Sequence, residues 1–150
     1  MSMNEKELKI ISHLRKDARV SLASISQEVG MPISTVYDRI IRLHQNNIIK
    51  RQTILVDFSK LGYHHHVKLA LKIEKSQKVE LINFLKNNHS VNTIHEINNS
   101  FDLLIETYHQ DIKTYIEFID NLQECFDIIE MNEYQIIDEI QNEKFFLFKE

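Results

Sequence analysis

Apolar residues recur three and four apart through roughly the first 46 positions, and every second position through much of the remaining chain. Asn4, with Glu7 three residues later, reads as a helix N-cap with its returning acceptor. A helix should follow, with Leu8, Ile11 and Leu14 on its buried side, ending near Lys16. Ser21 then caps a short second helix carrying Leu22, Ile25 and Val29. Gly30 supplies the left-handed residue that ends it, and Pro32 is placed to open a third helix. In "STVYDRIIRL", 34–43, Val36, Ile40 and Leu43 form one apolar face. Ser34, Asp38, Arg42 and Gln45 occupy the opposite face, with Thr35 and Tyr37 at its margins. This helix is expected to run to about Asn46. Two helices joined by a tight glycine turn, with a third before them, make a helix-turn-helix pattern. "IIKRQTILVD", 48–57, alternates and is β-rich, as a wing strand or hairpin would be.

Past "KLGY", 60–63, the period changes to two. Val67, Leu69, Leu71 and Ile73 alternate with Lys68, Ala70, Lys72 and Glu74, a strand with one polar face. Ser76 is placed to cap a helix with Val79, Ile82 and Leu85 inward. A strand at 91–98, a turn at Asn98-Asn99-Ser100-Phe101 and a strand at 101–108 come next. Asp111 opens a helix with Ile112, Tyr115, Ile116, Ile119 and Leu122 inward, and a last strand begins at Ile128. The order β-α-β-β-α-β is that of a ferredoxin-like domain. The predicted class is therefore α+β, with a winged helix-turn-helix over 1–60 and a ferredoxin-like βαββαβ domain over 61–150.

Composition sharpens this picture in two ways. The 150 residues, 43% hydrophobic and 27% charged, suit a globular chain of one or two domains. The net charge of −4 hides an asymmetry. Residues 1–62 carry ten Lys/Arg against six Asp/Glu, whereas 63–150 carry eight against sixteen. A basic front half joined to an acidic rear half suggests a polyanion-binding module attached to something else. The opening "MSMNEKE" lacks the basic and apolar regions of a signal peptide, no apolar run approaches a bilayer span, and Cys125 is the one cysteine. A cytoplasmic protein is expected, with neither a metal nor another cofactor.

Several segments resemble, in order and spacing, the Lrp/AsnC (feast/famine) family of transcriptional regulators. "MNEKELKIISHL" is similar to that family's opening helix, and "DARVSLASISQEVG" resembles its Asp-x-Arg-x-Ser entry into the second helix. "STVYDRIIRLHQNNIIKRQTILVDFSKLGY" is similar to its recognition helix, wing strand and linker, and "EINNSFDLLIET" to the turn between its middle strands. The resemblance implies a DNA-binding regulator without enzymatic activity. Its implied partners are double-stranded DNA, further copies of itself as a homodimer or an octamer, and an amino-acid effector. Three positions depart from the family: Pro32 stands where Ser or Thr commonly caps the recognition helix, Asp38 where an arginine often stands, and Asn99 where a glycine begins the middle turn.

On this reading the outer face of the third helix reads the major groove. Arg42 can reach guanine O6/N7 or a phosphate, Ser34 and Thr35 are short donors, and Tyr37 can contact sugar or phosphate. Asp38 can accept from a cytosine amine or orient Arg42 four residues on. Lys50 and Arg51 suit phosphates. Arg39 lies nearer the apolar seam, where pairing within the domain competes with a DNA role. For the effector, Asp102 and the turn residues Asn98, Asn99 and Ser100 are placed to hold an ammonium and a carboxylate, although the Asn99 side chain narrows that space. In "HHH", 64–66, His64 and His66 would share a strand face, but no third ligand is evident. Surface or interface histidines are the expectation. A different class is kept as an alternative: decarboxylases of haem biosynthesis share this two-domain plan, so a tetrapyrrole-processing role on the same fold would need a basic and histidine cluster, and no such motif stands out.

Overall fold

A computed structural model describes residues 3–146. These divide into two units. One runs to Leu55 and includes the C-terminal segment from Gln141 onward; the other spans Val56–Ile140.

The first unit is built on three helices: α1 (Glu5–Lys16), α2 (Leu22–Val29) and α3 (Ile33–Gln45). Each start has the local cause expected of it. Asn4 Oδ1 accepts from the Glu7 amide at 2.9 Å while Glu7 Oε2 accepts from the Asn4 amide at 3.1 Å, a reciprocal capping box. Ser21 caps α2 through the Ser24 amide. Gly30, at φ 64°, turns the chain left-handed, and the amides of Gly30 and Met31 both donate to the Ser26 carbonyl. Ser26 also donates its hydroxyl to the Met31 carbonyl. Pro32 is the N-cap of α3 and contributes no side-chain hydrogen bond. Ile10, Ile25, Val29, Val36 and Leu43 form the buried core. Ile10 is fully buried, whereas Leu8, Ile11 and Leu14 are half-buried, so the inward stripe of α1 centres on Ile10.

The expected wing strand does not form among the described residues. Residues 50–57 are in no ladder, and Ile54 and Leu55 are 76% and 67% exposed. Alternation gives a segment two faces, but a strand also needs a neighbour to take up its N–H and C=O groups, and among the described residues no second run pairs with this one.

In the second unit β1 (His65–Ile73), β2 (Val91–Glu96), β3 (Leu103–His109) and β4 (Ile128–Gln135) form an antiparallel sheet of order β2-β3-β1-β4. Helices α4 (Lys78–Asn87) and α5 (Ile112–Cys125) pack on one face, giving the ferredoxin-like plan. Val67, Leu69, Leu71, Ile73, Leu103 and Ile105 meet Leu81, Leu85, Phe118 and Leu122 in the core. The other face carries His66, Lys68, Ala70 and Lys72 beside Leu104, Glu106 and Tyr108, by the register His66↔Tyr108, Lys68↔Glu106 and Ala70↔Leu104.

Both helices are rotated relative to the sequence expectation. A short 3-10 turn, Lys75–Gln77, precedes α4, so Ser76 is not its cap, and Val79 is 72% exposed while Leu81 is buried. In α5, Ile112 and Ile116 face outward at 63% and 49% exposure, and Phe118 is buried in their stead. Nearly every turn of these helices offers apolar residues on two faces, and the sheet selects one. Among the described residues no helix is long and apolar enough to cross a membrane.

Candidate nucleic-acid interface

The apolar stripe of α3 fixes which of its side chains are presented. With Val36 and Leu43 buried, Ser34, Tyr37, Asp38 and Arg42 are exposed and Thr35 is half-buried at the margin. The structure thus gathers Ser34, Thr35, Tyr37, Asp38 and Arg42 along one outward surface. Lys50 and Arg51, on the extended segment after α3, are exposed as well. Arg42 has no ion pair among the described residues, so its five donors remain for a ligand. Asp38 does not clamp it: no pair between them within ion-pair distance occurs.

Arg39 is differently placed. Its Nη1 lies 2.8 Å from Glu7 Oε1, and the two side chains are only 26% and 21% exposed. Glu7 therefore receives the Asn4 amide at one carboxylate oxygen and Arg39 at the other. Its carboxyl sits below the ordinary value of 4.5, chiefly because of the Asn4 amide, with Arg39 adding to this against an opposing desolvation cost. The ion pair ties the recognition helix to α1.

The turn between β2 and β3 is internally engaged. Asn99 holds φ 74°, the left-handed conformation that asparagine tolerates best among non-glycine residues. Asp102 Oδ2 accepts from the Ile73 amide at 2.9 Å, the Asp102 amide donates to the Leu71 carbonyl at 2.8 Å, and its carbonyl accepts from the Ile97 amide at 3.0 Å. Asn98, Asn99 and Ser100 are exposed on the turn, and Asp102 is half-buried beneath it.

The histidine triplet separates. His64 is exposed ahead of β1. His65 packs its ring 4.8 Å from that of Tyr115. His66 stacks on Tyr108 at 4.1 Å and lies 2.8 Å from Glu106 Oε2. Burial opposes the charge of Glu106, but hydrogen bonds from Asn92 and His66 more than offset it and hold its carboxyl low. Opposite His65 in the ladder, His109 is buried and its Nε2 has no hydrogen-bond partner. Burial, then His65 and His89, push its pKa down to about 4. Among the described residues no group of three or more His, Cys, Asp or Glu side chains could hold a metal ion.

Two engagements escape any reading of the sequence. Arg15 is bound to residues 143 and 145 across 128 and 130 positions of chain, and Asp102 to the backbone of a strand 29 residues away. Nothing local marks either one.

Residues 3–50 match the winged helix-turn-helix DNA-binding family. The chain is similar to HTH-type transcriptional regulator FL11 of Pyrococcus furiosus, 26% identical over 118 residues, 79% of this chain and 78% of that protein. It is also similar to an uncharacterised HTH-type transcriptional regulator of Pyrococcus abyssi, 21% identical and covering 95% of this chain and 97% of that one. Its fold is shared by LrpC of B. subtilis, with a TM-score of 0.84, 19% identity and coverage of 94% and 99%. A transcriptional regulator of Neisseria meningitidis in complex with L-Met shares it with a TM-score of 0.87, 15% identity and coverage of 94% of each chain.

Proposed function

We propose that this chain, a transcriptional regulator of the Lrp/AsnC type with a winged helix-turn-helix DNA-binding domain, reads operator DNA through the outward face of α3 as an assembly of at least two copies. The observation that carries the reading is the division of labour between two arginines on one helix. Arg39 is committed to Glu7, so α3 is held on α1; Arg42, one turn on, is exposed and without an ion pair among the described residues. In the major groove its planar fork suits guanine O6/N7, while Ser34, Thr35, Tyr37 and Asp38 lie where they can meet base edges and backbone. Lys50 and Arg51 contribute phosphate neutralisation beside the helix.

Self-association is supported by the apolar residues that the single chain leaves exposed. Ile54, Leu55, Ile129, Tyr134, Ile137 and Ile140 are each more than half exposed, more than one expects a lone soluble chain to present in short stretches. A twofold assembly would present two copies of α3 to a roughly palindromic site. The Neisseria regulator of the same fold was solved as an L-Met complex, and the 98–102 turn is where an effector would be sought here. With Asp102 already accepting the Ile73 amide and Asn99 narrowing the turn, no common amino acid is expected to bind there. Light scattering on the free protein tests the assembly: a mass at least twice 17.9 kDa at micromolar concentration is expected. A monomer mass at that concentration contradicts it.

A further inference from the structure

The C-terminal segment lies on α1, and one side chain accounts for how it is held. Arg15, in the last turn of α1, directs its guanidinium at residues 143–145. Nη1 donates to Glu143 Oε2 at 2.7 Å, Nη2 to the Glu143 carbonyl at 3.1 Å and to the Phe145 carbonyl at 3.1 Å, and Nε to the same Phe145 carbonyl at 3.3 Å. Three of the four hydrogen bonds go to main-chain carbonyls, so the recognition is of a backbone shape, with Glu143 adding one charge pair. The shape is itself unusual. Glu143 and Phe146 both hold positive φ, 55° and 69°, without being glycine or asparagine. Such a conformation is strained and persists only where its surroundings enforce it. Arg15 holds Glu143 in this shape, since its rigid planar fork meets the Glu143 carboxylate and the Glu143 and Phe145 carbonyls together.

We infer that Arg15 forms a docking site on the DNA-binding unit for the chain's own segment Gln141–Phe146, and that this docking makes the segment a second tether of that unit. The chain path supplies the covalent logic. The DNA-binding unit is left once, after Leu55, and is joined again from Gln141. With the segment docked, the unit is fastened at two ends of its sequence. With it released, the unit hangs from residues around 56 alone and has more orientational freedom to lose when it binds DNA. The occupant is the segment of the same copy: Glu143 and Phe145 reach Arg15 within one chain, and only five residues, 136–140, separate the end of β4 at Gln135 from the segment's start at Gln141.

The segment carries its own probe, since Lys144 sits between the two clamped carbonyls and trypsin cuts after lysine. The full chain and its Arg15→Ala, Arg15→Lys and Glu143→Ala variants are digested under limiting trypsin, and the loss of Phe145–Glu150 is followed by intact mass. Cleavage after Lys144 should be about tenfold faster in Arg15→Ala, because opening of the segment controls access. Arg15→Lys should resemble Arg15→Ala, and Glu143→Ala, which keeps the carbonyl bonds, should fall between it and the parent. Cleavage after Lys50 and Arg51 serves as the reference and should not change. Equal Lys144 cleavage in parent and Arg15→Ala overturns the docking, as does a uniform acceleration at every site in variants whose circular dichroism is native. If Arg15→Ala loses native circular dichroism, Glu143→Ala alone decides, and an unchanged rate there counts against the inference. Protection that fades on dilution from 50 to 1 μM (on the order of the range that separates in-chain from between-chain docking) would assign the segment to a second copy and overturn the same-copy docking. The DNA readout is separate from these: Arg15→Ala should weaken duplex binding a few-fold with an unchanged salt slope. A slope reduced by about one would place Arg15 on a phosphate and overturn its role as a tether.

Discussion

Arg39 Nη1 stands 2.8 Å from Glu7 Oε1, and the same carboxylate closes the capping box at the start of α1. One acidic side chain thus fixes both the beginning of the first helix and the seat of the third. Arg39→Ala should lower stability by on the order of 1 kcal/mol, since the pair is half-shielded and charge-assisted. Glu7 has a folded pKa below 4.5, so its contribution is present above that value and is lost as pH falls through the folded pKa. Urea unfolding of parent and Arg39→Ala should therefore differ at pH 7 and converge towards pH 3.

Arg42 should behave in the opposite way. It carries no ion pair among the described residues, so Arg42→Ala should leave urea unfolding within about 0.5 kcal/mol of the parent. On a selected operator it should cost on the order of 1–3 kcal/mol of binding, with a much smaller loss on random duplex. Equal loss on both would confine Arg42 to phosphate. Fluorescence anisotropy with the two duplexes makes the comparison.

The caps and the glycine turn made the helix-turn-helix legible, because each is settled by two or three neighbouring residues. Asn4 with Glu7, Ser21, Gly30 and Asp111 all act where the sequence placed them. The order of strands and helices was equally plain from the change of period. What the sequence did not reveal depends on distant partners. Val79 and Ile116 turn outward because the sheet takes Leu81 and Phe118, and 48–57 forms no strand because its alternation meets no second strand among the described residues. Of the candidate DNA residues, periodicity placed Arg42 outward and Arg39 near the seam; that Glu7 is the residue Arg39 pairs with could be found only across 32 positions of chain.

His109 gives the rear unit an acid sensitivity. Its folded pKa of about 4 lies below its ordinary 6.5, so the unfolded chain takes up the proton first. Stability is full above about 6.5 and declines as pH falls from there towards 4, at no more than about 1.4 kcal/mol per pH unit from this group. His109→Leu, which removes the imidazole, should flatten that part of the thermal-stability profile relative to the parent. Parallel profiles for the two proteins between pH 7 and 5 would contradict the assignment.

Asp102 already accepts the Ile73 amide, and Asn99 occupies the turn above it. The twenty common amino acids in large excess should therefore give no shift of melting temperature. A ligand present at about 100 times its Kd would add roughly 2.7 kcal/mol, which a melt would register. Asp102→Ala should itself cost about 1 kcal/mol by leaving the Ile73 amide unpaired. Stabilisation by one amino acid, abolished in Asp102→Ala, would show that the turn is an effector site.

That α3 reads DNA sequence is put to the sharpest trial by selecting binding sites from a random duplex pool with the purified protein, in parallel with its Arg42→Ala variant. Enrichment of a roughly palindromic motif is expected, with half-sites about one or two helical turns apart. The variant should lose preference at one symmetric guanine position while keeping salt-sensitive binding to the pool. A pool that stays random after repeated rounds with the parent protein would contradict sequence reading by α3.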